Sequence, residues 1–289
     1  MEGDVTDERA EGILYVVSTP IGNMGDFSFR AVEVLKSVAT VLAEDTRHTR
    51  HLLTRYSIAT PLQSHHEHNE ARTTPGLIER LRAGESLALV TDAGTPLVSD
   101  PGARLVRAAI DAGIAVVPIP GASALLAALV ASGIDAARFT FFGFLTRSGP
   151  ERRAALDEIT ASPHTAVLYE SPNRLADTLA ELERHGAGMR EAAVAREMTK
   201  QFEEVRRGTV GELRAYYEDR PPRGEIVLVI APAAPVAASD ELVRERVRAL
   251  RGAGMSTRDA AAAAAKELGV SRRTAYQMAR EIDVNEGER

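Results

Sequence analysis

Leu-Ala-Leu-Val-Thr-Asp-Ala-Gly-Thr-Pro-Leu-Val-Ser-Asp-Pro-Gly, residues 87–102, is an apolar run that empties into a loop of Gly, Pro, Asp and small hydroxyl residues. The run Leu87–Val90 is short and lacks a 3.6-residue period, so it predicts a buried strand. Gly94 gives the loop access to positive φ. Pro96 and Pro101 stiffen it and remove amide donors. In a parallel sheet, ligands gather at the carboxyl ends of the strands, which is where Asp92, Thr95, Ser99 and Asp100 fall. The same residues would also make an ordinary strand-to-helix turn, with Asp100 or Gly102 near the helix start. The loop chemistry alone leaves both readings open.

Outward from this stretch the pattern repeats. Residues 13–17 predict a strand running into Ser-Thr-Pro-Ile-Gly-Asn-Met-Gly-Asp at 18–26, and a helix follows over 28–37. Residues 41–43 predict a strand ending in Glu44-Asp45-Thr46-Arg47-His48, which opens a helix to about Tyr56. A strand near 60–63 precedes His65-His66-Glu67-His68-Asn69-Glu70 and a helix to Arg82. After the central strand and loop come a helix over 103–112, a strand over 115–117, and Pro-Ile-Pro-Gly-Ala-Ser at 118–123. An Ala/Leu-rich helix then ends at Gly133. Strands alternating with helices predict a parallel sheet covered on both faces.

From Arg138 the strands restart. They are expected at 139–144, 166–169, 192–195, in the alternating segment 202–207, and at 225–231. Helices are expected at 148–161, from Arg174 to about His185, and at 209–219. The fold class expected is therefore α/β: an N-terminal domain over 12–120 and a C-terminal α/β domain over 121–231 with some neighbouring antiparallel strands. Residues 1–11 read as disordered and 232–238, Pro-Ala-Ala-Pro-Val-Ala-Ala, as a stiff linker. The tail 239–289 is expected to be all-helical. Ser256 caps a helix with Asp259 at its third position, Gly269-Val270 turns, and Ser271 caps a second helix over 272–282, as in a helix-turn-helix. Arg272, Arg273, Tyr276, Gln277 and Arg280 on that helix suit nucleic acid, though they would equally make the solvated face of a small bundle.

Composition narrows the classes. The 289 residues are 44% hydrophobic and 26% charged, as in a soluble globular protein, and allow about two domains. There is no Cys, so disulfides, Cys-based metal sites and Cys nucleophiles are all excluded. No stretch of about 18 apolar residues occurs and the N-terminus is acidic and polar, so no membrane partner and a cytoplasmic location are expected. The net charge of -6 argues against tight binding to naked nucleic acid. Gly22 and Gly25 are too few and wrongly spaced for a dinucleotide fingerprint, and no Gly-Lys-Ser/Thr makes a phosphate loop. His66, Glu67 and His68 raise a metal site, but one short segment offers about two ligands at most, so none is expected.

Several segments taken together resemble one superfamily. Thr-Pro-Ile-Gly-Asn-Met-Gly-Asp at 19–26, the central loop, and Pro-Gly-Ala-Ser-Ala at 120–124 are similar to the tetrapyrrole methylases, which are built from two α/β domains with a cofactor cleft between them. Adding Ala-Glu-Asp-Thr-Arg at 43–47, His-Glu-His-Asn-Glu at 66–70, Tyr-Glu-Ser-Pro-Asn-Arg at 169–174, Arg-Glu-Met-Thr-Lys at 196–200 and Gly-Glu at 224–225, the resemblance is nearest to the ribosomal RNA small subunit methyltransferase I family. It covers about 12–231 and the tail more weakly. Two features depart from the tetrapyrrole enzymes. The first loop lacks Gly-x-Gly-Pro-Gly-Asp, and the central loop has Ala-Gly-Thr-Pro where Gly-Gly-Asp-Pro is common.

The resemblance implies S-adenosyl-L-methionine as cofactor and 2′-O-methylation of a cytidine in the decoding centre of 16S ribosomal RNA, in the small ribosomal subunit, by a homodimer. Carried over residue by residue, it implies cofactor contacts at Pro20, Ala93, Gly94, Thr95, Val98, Ser123, Ala124, Tyr169 and Met198. For catalysis Lys200, Glu197 and Arg196 are favoured: Lys200 as a base if burial lowers its pKa, or as a cation beside a developing alkoxide. Arg196 and Glu197 would otherwise form a structural ion pair. Asp45, Arg47, Glu67, His68 and Asn69 form a second set. Arg72, Arg152, Arg153 and Arg174 are candidate phosphate contacts. Two rival readings remain: a small-molecule, tetrapyrrole-type methyltransferase, and a non-enzymatic nucleic-acid-binding regulator.

Overall fold

The computed structural model describes residues 12–233 and 239–287, with side chains through Ile282. The expectations for 1–11 and for 234–238 lie outside the described residues. The chain forms two compact units, one ending at Pro232 and one starting at Ala233.

The first unit holds two five-stranded sheets. Strands β1 (Leu14–Val17), β2 (Thr40–Ala43), β3 (Leu62–Ser64), β4 (Leu87–Val90) and β5 (Val116–Ile119) are all parallel, in the order β3-β2-β4-β1-β5. β4 is central, with Val90 beside both Val17 and Ala43. All four of its residues are buried, because both faces of the sheet are covered. Helices α1 (Phe29–Ser37) and α2 (Thr46–Arg55) bring Leu35, Leu52 and Leu53 onto Val17, Val41 and Val90. Helices α3 (Glu67–Arg82) and α4 (Ala103–Asp111) bring Leu77, Leu81 and Leu105 onto Leu14, Leu42, Leu87 and Leu89 on the opposite face.

Side chains start these helices. Ser28 accepts from the Ala31 amide and Asp45 from the Arg47 amide, each cap worth about 1 kcal/mol. Asn69 accepts from the His66 amide at 2.9 Å. Glu70 reaches across to accept from Arg104 N at 2.8 Å, at the first turn of α4.

Helix α5 (Ala124–Ser132) is apolar all round. Its Leu125, Ala128 and Leu129 pack on Val167, Ala193, Ala195 and Val229 of the second sheet. That sheet comprises β6 (Phe139–Phe144), β7 (Thr165–Glu170), β8 (Glu191–Arg196), β9 (Glu204–Thr209) and β10 (Ile226–Ile230), in the order β6-β7-β10-β8-β9. Only β6 and β7 pair in parallel. Helices α6 (Pro150–Ala161), α7 (Leu175–Leu182) and α8 (Val210–Glu218) cover its other face over Leu168, Val194 and Leu228.

One expectation is corrected here. The strand expected over 202–207 runs from Glu204 to Thr209, because the ladder to β8 begins at the pair Arg196 and Glu204, leaving Phe202 in the preceding turn. The helix expected to reach about His185 keeps helical dihedrals past Leu182 into Glu183 and is broken at Gly186, where φ is +93°.

The second unit is three helices: α9 (Asp240–Gly252), α10 (Thr257–Leu268) and α11 (Arg272–Gly287). Ser256 caps α10 through the Asp259 amide, and Gly269 ends it at φ +67°. Small residues let the helices close over Val243, Val247, Ala264, Ala275, Ala279 and Ile282. The expected pair of helices thus gains a third, α9. Arg272, Arg273, Tyr276, Gln277 and Arg280 are all exposed on α11. Among the described residues, no helix is long and apolar enough to cross a membrane.

Candidate active site

Parallel strands deliver their carboxyl ends to one edge, so the loops after β1, β2, β4 and β5 meet there. Between them and the second sheet lies a cavity of ≈ 470 Å³, lined by Ile21, Glu44, 92–95, 98–100, Ser123 and Ala124 on one side and by Phe144, 169–172, Met198 and 224–227 on the other. That volume falls within the range of small-molecule and cofactor sites.

The loop after β4 is sewn to the loop after β1. Thr19 N donates to Gly94 O at 2.8 Å and Gly94 N returns a bond to Thr19 O at 3.1 Å. The Thr19 hydroxyl donates to Thr91 O at 3.1 Å, and Ser18 and Thr95 share a hydroxyl bond of 2.9 Å. Gly94 needs its φ of +89° for this double bridge. Leu97 (φ +72°) and Ser99 (φ +68°) take left-handed conformations without being glycine, at a cost of about 1–2 kcal/mol each. Leu97 offsets that cost by packing into the core beside Leu89 and Leu105.

Of the nine residues expected to touch a cofactor, eight line the cavity: Ala93, Gly94, Thr95, Val98, Ser123, Ala124, Tyr169 and Met198. Pro20 does not. It is buried, and its neighbour Ile21 lines the cavity instead. Ser123 caps α5, so the N-terminus of that helix opens on the cavity. In β6 the register shifts between Phe141 and Phe144, and Gly143 sits in the bulge at φ +60°. The bulge re-aims Phe144, which is 59% exposed at the cavity rim with its ring 5.3 Å from that of Tyr169.

Carboxylates dominate the polar lining. Glu44, Asp92, Asp100 and Glu225 face the cavity, and among the described residues no Lys or Arg lines it. Glu170 lies in the wall, but its buried carboxylate is held by Thr178, the Ser171 amide and Arg174. Burial, reinforced by the charges of Glu44 and Asp92, pushes the Asp100 carboxyl from its ordinary 3.8 up to about 6, although a bond from Thr91 pulls the other way. A proton on Asp100 therefore favours the folded state. That contribution is complete below pH 3.8 and is lost as the pH rises through about 6. Asp100→Asn should add roughly 1–2 kcal/mol at pH 7.5 and little at pH 4. Urea titrations at the two pH values check this; an equal gain at both would remove Asp100 as the cause.

Lys200, Glu197 and Arg196 do not line the cavity themselves; Glu225 links two of them to it. Lys200 Nζ donates to Glu197 Oε1 at 2.9 Å and lies 3.2 Å from Glu225 Oε2. The Glu225 amide also donates to Glu197 Oε1, at 3.0 Å. The Lys200 stem lies where a Cβ on Gly22 would sit, 2.3 Å from its Cγ, so the lysine bridges the first loop and the second sheet. Burial pulls the Lys200 pKa down, but the bonds to Glu197 and Glu225 outweigh it and hold the pKa above the ordinary lysine value. Of the two alternatives for Lys200, a base or a cation, the raised pKa fits the cation. The bond from Lys200 keeps Glu197 ionised below the usual carboxylate range.

Arg196 and Glu197 form no ion pair with each other: Glu197 lies past the end of β8 at φ +51°, and Lys200 takes its carboxylate. Arg196 pairs instead with Glu204 across β8 and β9 at 2.6 Å.

The second candidate set is largely used by the fold. Asp45 caps α2 and pairs with the exposed Arg47, and its amide donates to Asp92 Oδ1 at 3.2 Å. Asn69 joins the start of α3 to Ser64 O at 3.1 Å. Glu67 and His68 do not line the cavity. His65 is fully buried, and burial lowers its pKa. Among the described residues, no three of His, Asp and Glu gather as a metal site. Arg72 and Arg153 are exposed, whereas Arg152 is buried and Arg174 is tied to the Leu145 carbonyl.

Sequence reasoning left Asp100 unassigned and gave Glu44, Glu170 and Glu225 no role. Glu44, Glu170 and Glu225 each stand at or beside a strand end and Asp100 lies in the loop between β4 and α4, all inside motifs quoted above. Their signal was position rather than residue type.

The fold and cleft define a class. A crystal structure of the methyltransferase CobJ superposes with a TM-score of 0.59 at 18% identity, over 77% of this chain and 95% of its own. A crystal structure of uroporphyrin-III C-methyl transferase from Thermus thermophilus, complexed with S-adenyl homocysteine, gives 0.54 at 18%, over 76% and 97%. The architecture is thus that of the two-sheet methylases. The family model for Tetrapyrrole (Corrin/Porphyrin) Methylases matches residues 13–214. A Synechocystis protein named Ribosomal RNA small subunit methyltransferase I is 44% identical over 277 residues, 95% of this chain and 99% of its own. The chain belongs to the tetrapyrrole methylase family and, within it, to the ribosomal RNA small subunit methyltransferase I group.

Proposed function

We propose that the chain transfers a methyl group from S-adenosyl-L-methionine to 16S ribosomal RNA, at the 2′-hydroxyl of a decoding-centre cytidine, acting on the small subunit. The observation that carries this reading is the cleft itself: large enough for the cofactor, lined by the carboxylates of Glu44, Asp92, Asp100 and Glu225 and, among the described residues, by no cation, with the protonated Lys200 at its edge. Carboxylates facing inward suit a sulfonium cation, since burying a positive charge needs compensating negative charge. When bound, the cofactor supplies an electrophilic methyl group on that sulfonium.

Ala93–Val98 with Ser123 and Ala124 form the wall that holds the cofactor, mostly through backbone groups. Tyr169 and Met198 close it from the second sheet. A ribose hydroxyl is a weak nucleophile; Lys200 Nζ stabilises the negative charge that grows on its oxygen as the hydroxyl proton passes to solvent water. Glu197 keeps Lys200 charged and aimed. Arg196 braces the turn through Glu204.

In this division 12–120 carries the cofactor loop 93–98, 121–231 adds Ser123, Ala124, Tyr169 and Met198 together with the reacting groups, and 239–289 gives further RNA contact through the exposed face of α11. A homodimer in the cytoplasm completes the reading. The apolar pair Leu126 and Val130, four residues apart and exposed on α5, offers surface for a second copy.

The test is labelled S-adenosylmethionine incubated with the protein and either small subunits or free 16S RNA from a strain lacking the modification. Label is expected on the small subunit, in a 2′-O-methylcytidine after nuclease digestion. No label on either RNA would sink the proposal; label on a base would overturn the ribose assignment.

A further inference from the structure

A second concave site abuts the first. It is lined by Arg147, Arg152, Arg174, Arg184, Asn173 and Ser171, and Ser171 also lines the candidate active site. Four guanidinium groups face two carboxylates, Asp177 and Glu181, so the site is net positive, opposite in sign to its neighbour.

Its arginines divide into two kinds. Arg152 is buried and spends its donors on Glu181, Thr178 and the Thr146 carbonyl. Arg174 binds the Leu145 and Thr146 carbonyls with one nitrogen and Glu170 with another. These two build the floor and hold the segment after β6 in place. Arg147 on that segment is exposed, with no side-chain partner among the described residues. Arg184 is exposed too, and only its Nε is engaged, at 3.3 Å from the Ala180 carbonyl. Each therefore keeps most of its fork of N–H donors for a ligand. A planar fork of donors on rigid backing is the geometry that binds phosphate.

We propose that this pocket takes a backbone phosphate of the RNA strand whose neighbouring nucleotide enters the active site. The proposal rests on the RNA reading above. Phe144 lines the active site and Arg147 the basic pocket three residues on, so one short stretch spans both. An enzyme acting on a single nucleotide must draw it out of its stack, and a clamp on the adjoining phosphate holds the strand while that happens.

The test is the double variant Arg147→Gln, Arg184→Gln in the full chain. Both side chains are exposed, so the fold is expected to survive, and unchanged S-adenosylhomocysteine affinity verifies the active site. Binding of 16S RNA and of small subunits is measured across a salt series. RNA affinity should fall about tenfold near physiological salt, and the slope of log affinity against log salt should flatten by about 1–2. Turnover at saturating RNA should hold while KM rises. Unchanged affinity and slope in the variant, beside a wild type that methylates RNA, would overturn this inference alone. A wild type that binds RNA without methylating it refutes the proposed reaction, and the salt slopes then still judge the pocket. A wild type that binds no RNA overturns both.

Discussion

Turnover on the small subunit should fall by about 10²–10³-fold when Lys200 is replaced by alanine, with affinity for S-adenosylhomocysteine unchanged. The loss corresponds to about 3–4 kcal/mol of transition-state stabilisation. It follows from where the ammonium sits. Lys200 Nζ lies 2.9 Å from Glu197 and 3.2 Å from Glu225, and Glu225 is a wall residue of the cleft. Its charge is therefore fixed before substrate arrives, and little reorganisation is needed as the hydroxyl oxygen becomes negative. Lys200→Arg keeps the charge and should recover part of the rate. A cation held by two carboxylates does not titrate near neutrality, so the rate should not gain a basic limb from Lys200 below pH 9. Single-turnover methylation with RNA in excess separates this from weaker binding. Full activity in Lys200→Ala would remove Lys200 from the mechanism, and equal loss of activity and cofactor affinity would recast it as part of the cofactor wall.

The first sheet was legible because its strands are short apolar runs that each end in polar or Gly/Pro-rich loops, and a parallel sheet sends all those ends to one edge. Ala93–Val98 and Ser123 follow directly from that rule. What escaped depends on contacts far apart in the chain. Arg152 and Arg153 are neighbours on one helix, and nothing local tells which turns inward; Glu181 and Thr178, almost thirty residues later, decide it. The pairing of Arg196 depends on the register of β8 against β9, which composition does not encode. The position of β10 between β7 and β8 brings Glu225 to Lys200, and no periodicity announces a strand inserted from the end of the domain. The sign of the Lys200 shift follows from the same insertion. Burial alone would have lowered it, and two carboxylates from 197 and 225 reverse it.

Arg152→Ala should be the most damaging single change to stability, at about 3 kcal/mol. The side chain is only 5% exposed, and its guanidinium donates to Glu181 at 2.7 Å, Thr178 at 2.9 Å and the Thr146 carbonyl at 3.0 Å. Thr178 in turn donates to Glu170 Oε2 at 2.6 Å, and Glu170 accepts from the Ser171 amide at 2.8 Å. Removing one partner of a buried charged network strands the others, and that penalty exceeds the net worth of the pairs themselves. For a unit of this size the thermal midpoint should drop by about 6–12 °C. Arg152→Met, which keeps much of the volume but no donor, should also be destabilised, whereas a cavity effect alone would spare it. The damage should reach the cleft, because Glu170 and Ser171 line it: S-adenosylhomocysteine affinity should weaken in Arg152→Ala even at temperatures where the protein stays folded. Arg153→Ala, one position on and exposed, is the internal control and should leave the midpoint unmoved. Equal melting of the two variants would mean that the buried network contributes nothing to holding the second sheet against its helices.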